Sequence, residues 1–98
     1  MRVKIKICGI SEEDNIKCCI DNSIDMIGFV FYENSPRNIS ILKAKNLYRE
    51  FGREIDIVGL VVDPDESLIE TLINEIGINI LQFHGNENLG KLLTLKSK

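Results

Sequence analysis

No apolar run in the 98 residues approaches the ~20 that a membrane-spanning helix needs, so a spanning helix is excluded. Positive charge is scarce as well: 12 Lys and Arg stand against 15 Asp and Glu, a net charge of −3. That balance gives no electrostatic case for nucleic acid or for an anionic membrane surface as partner. The three cysteines, an odd number with Cys18 and Cys19 adjacent, do not form a disulfide framework. A reducing cytoplasm is the setting they imply. No Cys/His spacing fits a metal site, and neither GxGxxG nor GxxxxGK[ST] occurs as a phosphate loop. The N-terminus alternates Arg2, Lys4 and Lys6 with Val3, Ile5 and Ile7, which is a strand pattern and not the continuous apolar stretch of a secretory signal.

What is present is an ordinary globular composition, 44% apolar and 28% charged, sufficient for one domain with one modest core. Two periods alternate along the chain. Short runs rich in Val, Ile and Phe at 3–8, 25–32, 55–62 and 78–83 read as strands. The segments between them have helical spacing, and such alternation predicts βαβ units on a parallel sheet. Ser11 is the expected cap of the first helix, with Ile16, Cys19 and Ile20 on one face and Asn22 as its left-handed stop. Ser40 is expected to cap the second helix, whose stripe is Ala44, Leu47, Tyr48 and Phe51. Asp63-Pro64-Asp65 turns the chain into a third helix, with Leu68, Leu72, Ile73 and Ile76 inward. Gly52 and Gly77 follow the second and third helices, where a positive φ suits glycine. The last stretch offers Leu89, Leu92 and Leu93 at helical spacing, so a short fourth helix and no fifth strand are expected there.

Cys8, Arg37, Asp63 and His84 each lie at or just beyond the C-terminal end of a predicted strand. In parallel α/β folds ligands bind at that edge, because loops and helix N-termini converge there. Each residue also has an ordinary structural reading. A Cys ending a strand packs in the core, a His beside a Gly bonds loop backbone, an Asp before Pro caps a turn, and a lone Arg is solvated. Four such groups at one rim make a site the stronger reading. Cys18 and Cys19 are helical and carry no such positional argument.

Cys8-Gly9, Ser35-Pro36-Arg37 and Gln82-Phe83-His84-Gly85, with Val58-Gly59-Leu60-Val61-Val62-Asp63 between them, resemble the N-terminal half of the phosphoribosylanthranilate isomerase family. The resemblance runs over about residues 3 to 87. It implies a (β/α)8-barrel fold and an Amadori rearrangement in tryptophan biosynthesis. N-(5-phosphoribosyl)anthranilate becomes 1-(2-carboxyphenylamino)-1-deoxyribulose 5-phosphate, with no metal or organic cofactor. By resemblance Cys8 is the general base, and Arg37 binds the substrate's carboxylate through its fork of donors with His84 at the same end. The family's general acid is an aspartate of the second half, and its phosphate site lies after the seventh and eighth strands. Neither corresponds to a residue here, and Asp63 matches the third strand instead.

A (β/α)8 barrel takes about 250 residues and at least ~200, so the expected architecture is α/β, a parallel (β/α)4 half of a TIM barrel over residues 1–98. Such a sheet leaves the edges of its first and fourth strands unpaired, with apolar surface around Ile5, Ile7, Phe29, Phe31, Val61 and Phe83 to cover. The expected partners, besides a small phosphorylated substrate, are a second copy in a homodimer or a complementary C-terminal half-barrel chain. Two other readings remain open at this point. One is a non-catalytic truncated remnant. The other is a small binding or interaction module, as a half-barrel or as a doubly wound sheet with helices on both faces.

Overall fold

The computed structural model describes residues 3–84 and 91–94. Four strands alternate with three helical segments: β1 (Lys6–Cys8), α1 (Glu13–Asp21), β2 (Met26–Phe31), α2 (Ile41–Phe51), β3 (Asp56–Val62), α3 (Glu66–Glu70) and β4 (Ile80–His84). α3 runs on without a break into a π-helical stretch, Thr71–Ile76. β1 to β4 are parallel and lie in chain order, in register from Cys8 through Gly28 and Val58 to Ile80.

Sequential order with right-handed crossovers puts every helix on the same side of the sheet. The core bears this out. Ile27, Phe29 and Phe31 of β2, Ile57 and Val61 of β3 and Leu81 of β4 pack with Ile16 of α1, Leu47 and Phe51 of α2, and Leu72 and Ile76 beyond α3. Phe29 and Phe31 meet edge to face at 6.5 Å between ring centres. A doubly wound sheet is therefore set aside. The apolar region expected to need a cover divides: Phe29, Phe31 and Val61 are buried under the helices and Phe83 is half-buried against the same core, whereas Ile5 and Ile7 on β1's side remain 49% and 38% exposed.

The chain end departs from expectation. Residues 91–94 form β5 (Lys91–Thr94), antiparallel to β4 from Ile80↔Thr94 to Phe83↔Lys91, where a fourth helix was expected. Leu92 and Leu93 are strand residues, and Leu89 lies outside the described residues. Two leucines in a four-residue segment do not distinguish helix from strand by period, and the outer edge of β4 holds backbone groups that another strand pairs. That edge is thus closed, while among the described residues β1 pairs with β2 alone.

Helix ends follow local chemistry, with three corrections. Ser40 Oγ accepts from Lys43 N at 3.1 Å and Asp65 Oδ1 from Leu68 N at 2.8 Å, as side-chain caps do. α1, however, is capped from Glu12 and not Ser11, because Glu12 O accepts the first helical bonds, from Asn15 N and Ile16 N. At its other end Asn22 has φ −99° and donates Nδ2 to Cys18 O at 2.7 Å, so the left-handed residue is Ser23, at φ 58°. Gly77 is left-handed as expected, at φ 98°, but Gly52 is not, at φ −61°. Glycine fits position 52 for another reason: a Cβ there would lie 2.6 Å from Tyr48 O.

Candidate active site

β1 ends at Cys8, and the chain turns away from the sheet through Gly9, at φ 83°. Gly9 N and Ile10 N both donate to Gly28 O, at 3.0 and 3.3 Å, which ties the turn to β2. Beyond β2 the loop doubles back: Ser35 N donates to Tyr32 O at 3.0 Å and Asn38 N to Ser35 O at 3.1 Å. Ser35 Oγ accepts from Arg37 N at 3.1 Å, and Ile39 N returns the chain to Val30 O at 2.9 Å. The loop so folded lays the Arg37 side chain against Gly9. His84 is the last residue of β4, paired in register with Val62 of β3.

These three strand ends meet at one open pocket of about 480 Å³. Cys8, Arg37 and His84 line it together with Gly9, Tyr32 and Ser35, over an apolar floor of Val30, Leu60 and Val62. Cys8 is half-buried, and Arg37 and His84 are exposed. A thiol, a guanidinium and an imidazole thus share one cavity with an apolar wall. Such a cavity suits an anionic ligand with an apolar body, and a thiolate in it serves as a base or nucleophile.

Asp63 is not brought to this pocket. It takes a left-handed conformation at φ 43°, which Asp tolerates, and lines a neighbouring hollow of about 360 Å³ with Glu33, Asn34 and Asp65. Of the four strand-end groups expected at one rim, the structure gathers three. Among the described residues, no cluster of three or more His, Cys, Asp or Glu is arranged to hold a metal ion. Cys18 and Cys19 lie on α1, away from the pocket lining, and burial followed by the neighbouring Cys18 pushes the Cys19 thiol up.

The sequence did not single out Tyr32, Val30, Leu60 or Val62 as pocket residues. β2 and β3 are apolar on both faces, so their side chains carry no alternation that tells floor from core. The one available signal was parity with Cys8 and His84 through the sheet register.

A singly wound parallel sheet with helices on one face, and a site at the C-terminal ends of its strands, is part of a (β/α)-barrel. The model of the family N-(5'phosphoribosyl)anthranilate (PRA) isomerase matches residues 5–98, and the chain belongs to that family. It is 41% identical over 87 residues to N-(5'-phosphoribosyl)anthranilate isomerase of Legionella pneumophila strain Corby, covering 89% of this chain and 42% of the relative. It is 33% identical over 98 residues to the same enzyme of Bradyrhizobium diazoefficiens, all of this chain and 44% of that one. Among solved structures, the isomerase of Thermotoga maritima superimposes with a TM-score of 0.81 at 30% identity, over 87% of this chain and 42% of its own. An isomerase in complex with reduced 1-(o-carboxyphenylamino)-1-deoxyribulose 5-phosphate gives the same score and identity, over 87% and 44%. This chain spans about 42% of the length of the first of these relatives.

Proposed function

We propose that these residues form the N-terminal half of a phosphoribosylanthranilate isomerase site in cytoplasmic tryptophan biosynthesis. The observation that carries the reading is the convergence of Cys8, Arg37 and His84 on one pocket at the strand ends. The Arg37 fork receives the carboxylate of the aromatic ring, with His84 at the same end, and the ring lies on Val30, Leu60 and Val62. A general acid protonates the ribose ring oxygen and the ring opens to a Schiff base. The Cys8 thiolate then removes the proton at C2, leaving the enolamine that tautomerises to the ketose. The family neighbour that holds a carboxyphenylamino-ribulose phosphate supports the ligand class.

The family's acid and phosphate site have no counterpart among these 98 residues and are to be supplied by a complementary C-terminal half-barrel, whereas a second copy of the chain brings only another Cys8, Arg37 and His84. A solved relative described as mutually generated monomers of a dimeric isomerase supports association within the family. The test is turnover of freshly made phosphoribosylanthranilate by the purified chain, alone and mixed with a separately produced C-terminal half from a relative. Since general acid catalysis is worth about 10²–10⁴ in rate, the chain alone is expected to be nearly inactive. The mixture is expected to turn over and to lose turnover with Cys8→Ala. Turnover that survives Cys8→Ala removes the base assignment, and a mixture that forms a complex yet stays inactive removes the isomerase reading.

A further inference from the structure

Two glycines without chemistry of their own stand directly against the thiol and the guanidinium of the pocket. Gly28 is the register partner of Cys8 across β1 and β2. A Cβ on Gly28 would lie 3.0 Å from Cys8 Sγ, 3.3 Å from its Cα and 3.4 Å from its Cβ. Gly9 has a positive φ, and a Cβ there would run into the Arg37 side chain, with Cδ closest, Nη1 at 3.1 Å and Nε at 3.3 Å. Both glycine surfaces are therefore occupied, one by the thiol and one by the guanidinium. They are also joined, since Gly9 N donates to Gly28 O at 3.0 Å.

We infer that Gly9 and Gly28 are positioning residues that seat the Arg37 guanidinium and the Cys8 thiol side by side in the pocket. Gly28 leaves the space into which Sγ turns. Gly9 is the flat surface on which the Arg37 side chain lies, so the cation is held beside the turn that follows the thiol. The inference rests on the isomerase reading for its catalytic meaning, but its geometry involves no substrate.

A small carboxylate that reports on both groups at once is the direct probe. Iodoacetate and iodoacetamide alkylate a thiol in the same way: the thiolate sulfur forms a bond to carbon and iodide leaves. Only iodoacetate carries a negative charge. The ratio of the two rates at Cys8, mapped by peptide mass spectrometry with exposed Cys18 as internal reference, therefore measures the pull of the guanidinium. In the parent chain the ratio at Cys8 is expected to exceed that at Cys18 by about fivefold at low ionic strength, the Coulomb factor for unit charges ~4 Å apart in water. It is expected to fall as salt is added.

The variants separate the two roles. Gly9→Ala is expected to bring the Cys8 ratio down to that of Cys18, as Arg37→Ala does. Gly28→Ala is expected to change both rates at Cys8 alike, several-fold, and to leave the ratio in place. Gly9→Asn, which adds a Cβ but tolerates the left-handed backbone, replaces Gly9→Ala should the latter not fold; slow alkylation of buried Cys19 reports folding in every variant. A ratio unchanged in the Gly9 variants, or Cys8 rates unchanged in Gly28→Ala, overturns the proposal. Absence of isomerase turnover in the complex with a C-terminal half, together with these shifts, would remove the isomerase reading and leave the positioning roles standing.

Discussion

Lys6 on β1 donates a hydrogen bond from Nζ to Gln82 Oε1 on β4. The two strands are separated by three strand-to-strand steps, about 14 Å in a flat sheet at ~4.8 Å per step. The strand register also sets Gln82 four residues further along than Lys6, so the two side chains meet only because the sheet curls toward the face away from the helices. Lys6 lies two residues before Cys8 and Gln82 two before His84, so the bridge closes the concave face one layer beneath the pocket. The curvature of a barrel wall is thus present within four strands.

Removing one end of that bridge is expected to cost more than removing the other. Gln82→Leu removes the hydrogen-bond partner of the half-buried Lys6 and is expected to destabilise by about 1–3 kcal/mol. Lys6→Met removes the charge together with its need for a partner and is expected to cost less, about 1 kcal/mol or below. Urea unfolding midpoints at constant m-value decide the order. Equal losses would mean that the contact carries no stability.

The strand-helix alternation was legible because Val, Ile and Phe runs contrast with segments spaced for a helix, as in Met26–Phe31 against Ile41–Phe51. The three residues that share the pocket were legible for a related reason, since each ends a strand and carries a group that apolar packing does not call for. What was not legible depends on partners distant in sequence. β5 is a strand because β4 presents an open edge, which Leu92 and Leu93 do not announce. The separation of Asp63 from the pocket follows from its left-handed backbone, and the floor residues from the register of two strands that are apolar on both faces.

The caps supply a contrast between a hydroxyl that works and one that does not. Ser40 Oγ accepts from Lys43 N, and Lys43 Nζ in turn pairs with Glu12 Oε1 at 2.9 Å, linking the starts of α1 and α2. Ser40→Ala is expected to lower stability by about 1 kcal/mol. Ser11→Ala is expected to change it by less than about 0.5 kcal/mol, since α1 starts from Glu12 and has no side-chain cap. Thermal melts of the two variants check the difference.

Arg37 is exposed and held by loop geometry, so its contribution belongs to binding more than to folding. Arg37→Lys keeps the charge but loses the planar fork. In the complemented enzyme it is expected to raise KM roughly 10–100-fold with a smaller change in kcat, the loss of one charge-assisted hydrogen bond. Equal falls in kcat and kcat/KM would assign Arg37 to the transition state instead.

Cys19 and Tyr48 make stability depend on alkaline pH. Burial, and then Cys18, raises the Cys19 thiol above its ordinary 9.0; burial, and then the charge of Asp56, raises the Tyr48 hydroxyl above 10.0. Both groups are neutral in the folded chain and release their protons more readily once unfolded. Their contribution is therefore complete below the unfolded pKa values and declines as pH rises through about 9 and then 10 toward the folded values. Unfolding midpoints are expected to be insensitive to these two groups near neutrality and to fall above about pH 9. Cys19→Ala removes the earlier part of that fall and Tyr48→Phe the later part, each at some cost in packing that is the same at every pH. An alkaline slope identical in the parent and the double variant would mean that neither group carries the linkage.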